Sequence, residues 1–278
     1  MNNKGQIIIT ELLLYIIVMT IILSLIIFTM VTLDDNQVTR INTKDLNALL
    51  DNSLDMLTKT SGTPSNWDKL GFNDIKSIGL KSDNNHFISY DKLIKLKNNN
   101  ELLDNYFPDD VSYELTLYPK SNRNNLVKIA GNGISNKRQI QSKSRVVLLD
   151  YGFNITSFQN DEDNSFCPYN HDRNWTCKAF TVSTNSLNKG KYYIVTNSYT
   201  EYILSNTYSE NISSSTNTIL NINDKMNQLL ENENETIYLH INTNKNNTYL
   251  AYDKNNKEEY LKEVIKPEIY ILNMKIAI

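Results

Sequence analysis

Glycine and proline are scarce, at 8 and 5 of 278 residues, so neither a collagen-like repeat nor a flexible Gly/Pro-rich linker protein fits this chain. Positive charge is not in excess either. With 28 Lys and Arg against 31 Asp and Glu the net charge is -3, which removes the electrostatic footprint that nucleic-acid binding needs. Histidines are few and far apart, His86, His171 and His240, and the chain has no H-E-x-x-H, G-x-S-x-G or P-loop pattern. The expectation is therefore no enzyme and no cofactor, although scattered acids leave a glycosidase pair open.

Cysteine is nearly absent too. Cys167 and Cys177, separated by nine residues in "CPYNHDRNWTC", are the only two. Outside a membrane, two thiols at this spacing favour a loop-closing disulfide, which stabilises by roughly 2 to 3 kcal/mol. His171 lies between them, but structural zinc normally takes four ligands and no second Cys/His pair is near in sequence, so no metal is expected. An acidic run at 160–164, "NDEDN", lacks the glycine and distal glutamate of a calcium loop and reads as a solvated loop.

Asparagine is abundant, with 42 residues, and 17 Tyr stand against 8 Phe. Such a Tyr excess suggests aromatic yet wet surfaces, as in secreted strand-rich domains. Five N-x-S/T sequons, at Asn154, Asn174, Asn211, Asn234 and Asn246, are sites open to glycosylation, but an Asn-rich chain produces this many by chance.

The long hydrophobic run is near the start. Residues 12–33 carry no charge, and roughly 20 residues suffice to cross a hydrocarbon core as a helix. A membrane span is the reading. Lys4 before it and Asp34 and Asp35 after it place the amino terminus inside and the remainder outside. A cleaved secretory signal has a 7–15-residue apolar core and a small-x-small site, whereas this run is longer and ends in "TMVTLDDNQ". One acid, Glu11, sits at the inner edge of the apolar run, where a carboxylate is costly unless it is hydrated, paired or protonated.

The leader "KGQ", followed by an apolar helix with an acid near its start, resembles the archaeal class III signal peptide of type IV pilin-like proteins. That resemblance implies cutting by a prepilin-type peptidase between Gly5 and Gln6, with the apolar helix retained. It also implies that Glu11 meets the free amino terminus of a neighbouring pilin-like subunit. The family acid is usually fifth in the mature chain, whereas here Glu11 would be sixth, a rotation of about 100° on a helix. A minor or non-polymerising member follows from that offset, with a structural, assembly or adhesion role at the cell surface. The order G-x-P-x-x-W, then "IGL", then "SYDKL" is similar to the region after the helix in archaeal envelope proteins bearing this leader. The alternative is a single-span surface binding or receptor-like protein with an uncleaved signal anchor.

Beyond the span, Val38, Ile41, Leu46, Leu49, Leu50, Leu54 and Leu57 recur at three- and four-residue spacings up to the breaker "SGTPSNW". They extend the helix with one apolar face that needs a cover. From Val111 the period changes to two, in "VSYELTLYP", "NLVKIAG" and "SRVVLLDYG". "CKAFTVSTNSL" and "KYYIVTNSYTEYIL" read as a hairpin turning at Gly190, "INDKMNQLLENEN" as a short helix, and "ETIYLHINT", "TYLAYD" and "EIYILNMKIAI" as strands. The fold class is α+β: a leader at 1–5, a helix at 6–60 and a strand-rich head at 61–278, with two subdomains dividing near residue 150.

Overall fold

The apolar run and the amphipathic stretch after it form one helix, α1 (Asn3–Lys59), in the computed structural model of the chain. Residues 3–83, 87–134, 139–158, 167, 174–207, 211–242 and 247–278 are described, without the side chains of 3–12 and 31–44. The segment Leu13–Met30 has no buried residue and is long and apolar enough to cross a membrane, about 27 Å at 1.5 Å per residue. The same helix then enters a strand-rich domain of several sheets, an α+β arrangement. Leu50, Leu54 and Leu57 are 0% exposed and Leu46 nearly so, as their spacing requires. Val38 and Ile41 lie outside the described side chains.

Helix α1 ends where "SGTPSNW" turns the chain back. Gly62 has a φ of +81°, and a side chain there would meet the Trp67 ring, whose Nε1 donates to the Gly79 carbonyl at 2.8 Å. Two short pieces, β1 (Gly62–Thr63) and β2 (Ser77–Ile78), pair across this turn. There follow β3 (Phe87–Ser89), α2 (Tyr90–Asn98), β4 (Ser112–Pro119), β5 (Val127–Gly131) and β6 (Ile140–Asp150). Ser89 caps α2, its hydroxyl accepting from the Lys92 amide. The Lys92 ammonium, buried at the helix end, donates to the carbonyls of Ser61 and Lys81, and burial holds its pKa below the usual lysine value.

The chain leaves this first lobe after Asp150. It then forms β7 (Asn154–Ser157), β8 (Trp175–Ser183), α3 (Thr184–Lys189), β9 (Lys191–Val195), β10 (Thr200–Ser205) and β11 (Asn211–Thr216). Next come β12 (Leu220–Asn221), α4 (Asn223–Leu229), β13 (Asn234–Asn242) and β14 (Tyr249–Asp253). Two four-stranded sheets result, in the orders β11-β10-β13-β8 and β12-β9-β14-β7. They share one core, in which Tyr202, Leu204, Ile237 and Leu239 of one sheet meet Tyr192, Ile194 and Leu250 of the other. After the short α5 (Lys262–Ile265), the last strand β15 (Tyr270–Ala277) returns to the first lobe. It lies between β6 and β4 in a five-stranded sheet ordered β3-β6-β15-β4-β5. The residue-150 boundary therefore opens an insertion, and the C-terminal strand belongs to the first lobe.

The expected hairpin between β8 and β9 does not form. β8 pairs with β13 and β9 with β14, because a Ser183/Ser186 capping box starts α3 between them. Gly190 has an extended backbone, φ -165°, and is needed for space, since a side chain would strike the Asp253 carbonyl and the Tyr252 ring. The stretch "KYYIVTNSYTEYIL" accordingly splits into β9 and β10, in different sheets.

Alternate residues of β6 and β15 receive α1. Leu272, Met274 and Ile276 of β15 pair with Leu117, Leu115 and Tyr113 of β4, all on the core side. On β6 the same face carries Val147 and Leu149 into the core and Lys143 and Arg145 toward the helix. Lys143 pairs with Asp51, and Arg145 reaches both Asp51 and Asp55 at 3.2 Å. Lys143 and then Arg145 hold Asp51 below its ordinary 3.8, and Lys59 and then Arg145 do so for Asp55. A carboxyl pKa lowered by folding favours the docked helix above about 3.8 and loses that contribution as the pH falls through the lowered value. These pairs are solvent-screened, so the leucines carry the docking energy. Leu54→Ala, which empties a fully buried site, is expected to lower unfolding stability by about 2–5 kcal/mol in a denaturant titration.

Candidate functional site

Sequence points to the apolar end of α1, the sequons and the cysteines, and the structure adds the junction of the lobes. Gly5, Gln6 and Glu11 lie on the helical backbone of α1, with side chains outside the described residues. Asn154, Asn174, Asn211 and Asn234 are exposed. Asn246, His86, His171 and the acidic run at 160–164 fall outside the described residues.

At the lobe junction, tyrosines are used differently from the wet surface that composition suggests. Tyr151 stacks on Tyr260 with ring centroids 4.4 Å apart, and Tyr90 leans on both at 5.0 and 5.1 Å. The Tyr90 and Tyr260 hydroxyls are 2.9 Å apart, and Tyr151 donates to Glu263 at 2.9 Å. Burial first, then the Tyr270 and Glu263 contacts, pushes the Tyr151 phenol far above its ordinary value and keeps it a proton donor. Lys257, only 7% exposed, donates to the Tyr151 carbonyl at 2.8 Å and pairs with Asp91 at 2.6 Å. Its ammonium also sits 5.3 Å from the Tyr90 ring centroid. Carbonyl, carboxylate and ring together offset the cost of burying that charge.

Beside this junction is a polar cleft of about 570 Å³, lined among others by Asp68, Ser82, Asp91, Lys92, Asp150 and Lys254. Asp150 accepts from the Ser82 hydroxyl at 2.7 Å and from the Gly152 amide at 2.9 Å. Asp91 and Lys92 are tied into the junction and the end of α1 by the bonds already given. These groups fix the geometry of the cleft and line it with polar side chains.

Cys167 and Cys177 are thiols in this structure; the expected disulfide is not formed. The fold instead brings His240, 73 positions from Cys167, to the two sulfurs. The register of β8 and β13 sets His240 directly opposite Cys177, and Cys167 Sγ lies 3.7 Å from His240 Nδ1. Potential ligand atoms of all three residues lie within 4.8 Å of one another. Burial, then the neighbouring Cys167 thiol, pushes the Cys177 thiol up. The other ring nitrogen, Nε2, is 2.8 Å from the Ser205 hydroxyl on β10. Ser205 is 1% exposed, so its hydroxyl is held against the ring and orients the imidazole. Proximity in sequence suggests only His171, between the cysteines; His240 is supplied by strand register, which a single sequence does not reveal.

No family model, curated protein or solved structure matches the chain. What it shows by itself is one N-terminal helix fit to span a membrane and a strand-rich head docked on that helix. Replacing Lys257 by Met removes the ammonium that three groups of the junction share. The variant is expected to lose about 1–3 kcal/mol of stability, read as a lower denaturation midpoint.

Proposed function

We propose that this protein is a membrane-anchored, pilin-like surface protein with a structural, assembly or adhesion role, and that its head is not an enzyme. The observation that carries the reading is the double use of α1: its segment Leu13–Met30 is apolar with no buried residue, and its last turns are buried in the head. A free-standing signal anchor has no need of that continuity, whereas a subunit that transmits force or position from membrane to head does. The "KGQ" leader adds a processing site between Gly5 and Gln6 for a prepilin-type peptidase, with the amino terminus inside and the head outside.

Within this reading Glu11 checks subunit docking. A carboxylate placed among packed apolar helices is unfavourable by several kcal/mol unless a cation meets it, so a correct neighbour is rewarded and a wrong register is not. Its place one residue later than in the family favours a minor or non-polymerising subunit.

Mass spectrometry of the native amino terminus is expected to find a chain that begins at Gln6. An intact Met1 would sink the processed-pilin reading and favour the uncleaved anchor. Glu11→Ala is expected to leave membrane insertion unchanged and to reduce co-purification with other pilin-like subunits. Unaltered co-purification removes the docking role while leaving the anchor in place.

A further inference from the structure

We propose that Cys167, Cys177 and His240 form a binding site for a zinc ion, independent of the membrane anchor. Position and burial disagree at these residues. On β13, Ile237, Leu239 and Ile241 point into the sandwich core, so His240 points to the opposite face of the sheet. Cys177 sits opposite it on the same outward face. An outward face should be wet, yet His240 is 1% exposed and Cys177 8%. Cys167 is brought onto the pair from outside the sheet, and the three ligand atoms enclose one point.

Dimensions and charge both fit zinc. With Zn–S near 2.3 Å and Zn–N near 2.05 Å, a tetrahedral ion separates sulfur from nitrogen by about 3.6 Å and sulfur from sulfur by about 3.8 Å. The Cys167 sulfur stands 3.7 Å from His240 Nδ1, and no pair in the cluster exceeds 4.8 Å. Binding displaces both thiol protons, and two thiolates with one Zn²⁺ make a neutral unit suited to a covered site. The imidazole is already oriented for coordination. Its Nδ1 faces the sulfurs while Nε2 is fixed by Ser205, the outer partner that a zinc-bound histidine usually has. These three residues fill three tetrahedral positions. Two strands of one sheet and Cys167, 73 positions from His240, would then be joined at a single ion.

The test uses the full chain in detergent, isolated without reductant for its intact mass and then reduced and stripped with chelator. Titration with Co²⁺, a spectroscopic substitute for Zn²⁺, is expected to saturate at one ion per chain with thiolate-to-cobalt charge-transfer absorption, and Zn²⁺ should displace it. Cys167→Ser, at a half-exposed position, is expected to weaken binding at least about tenfold with the strand circular dichroism unchanged. Ser205→Ala, which removes only the positioning contact, should keep the charge-transfer band and weaken affinity by about 10- to 100-fold. Absence of saturable Co²⁺ binding, binding indifferent to Cys167→Ser, or an isolated chain lighter by two hydrogens through a Cys167–Cys177 disulfide would each overturn the proposal.

Discussion

The strand-rich head is built on one contact, the seating of Leu46, Leu50, Leu54 and Leu57 on the five-stranded sheet. The contact is apolar and therefore non-directional, since burial rewards any position that hides the same area. Direction comes from the ion pairs beside it. Asp51 and Asp55 meet Lys143 and Arg145 on β6, and one turn of helical slippage would leave those charges opposite the wrong partners. Screened pairs of this kind add little energy but exclude wrong registers. Burial supplies the strength of the seat, and charge supplies its address.

The sheet that receives the helix is itself closed late. Its central strand, β15, is the last piece of the chain and pairs over its whole length with β4 and β6. The second lobe is spliced in between β6 and β15, so both of its ends must be held close for the first lobe to complete its core. That requirement explains the density of contacts at the junction. Tyr151 directly follows β6, Tyr260 precedes the return to β15, and Tyr90 begins α2, and these three rings with Lys257 clamp the exit and re-entry of the chain together. The tyrosine excess is in part a structural device: an aromatic ring fills the junction while its hydroxyl bonds a half-buried acid, Glu263.

How much of this was legible depended on the range of the interaction. Local periodicity located α1 to its last turn, because the spacing of Leu46, Leu50, Leu54 and Leu57 is a property of neighbouring residues on one helix. The alternation in "VSYELTLYP" and "EIYILNMKIAI" likewise marked β4 and β15 as strands. Pairing was not legible. That β8 avoids β9 and lies on β13 is decided by a two-serine cap that inserts a helical turn, and by the core that two sheets make together. Gly190 reads as a turn residue from its neighbours and proves to be a spacer for the ring of Tyr252, distant in sequence. The Cys/His cluster is the same case, since its third member reaches the cysteines through strand register alone.

The geometry of α1 also constrains where the head can stand. From Met30, the end of the apolar segment, to Leu46, the first buried residue among those whose side chains are described, there are 16 helical steps, about 24 Å at 1.5 Å per residue. That interval contains Asp34, Asp35, Arg40, Lys44 and Asp45, which do not belong in hydrocarbon. With the first segment in a bilayer, the helix would thus cross the headgroup layer as a charged stem before its apolar face meets the sheet. In that placement the stem keeps the apolar face of Leu46, Leu50, Leu54 and Leu57 out of the hydrocarbon, where burial against the sheet would gain nothing over burial in lipid.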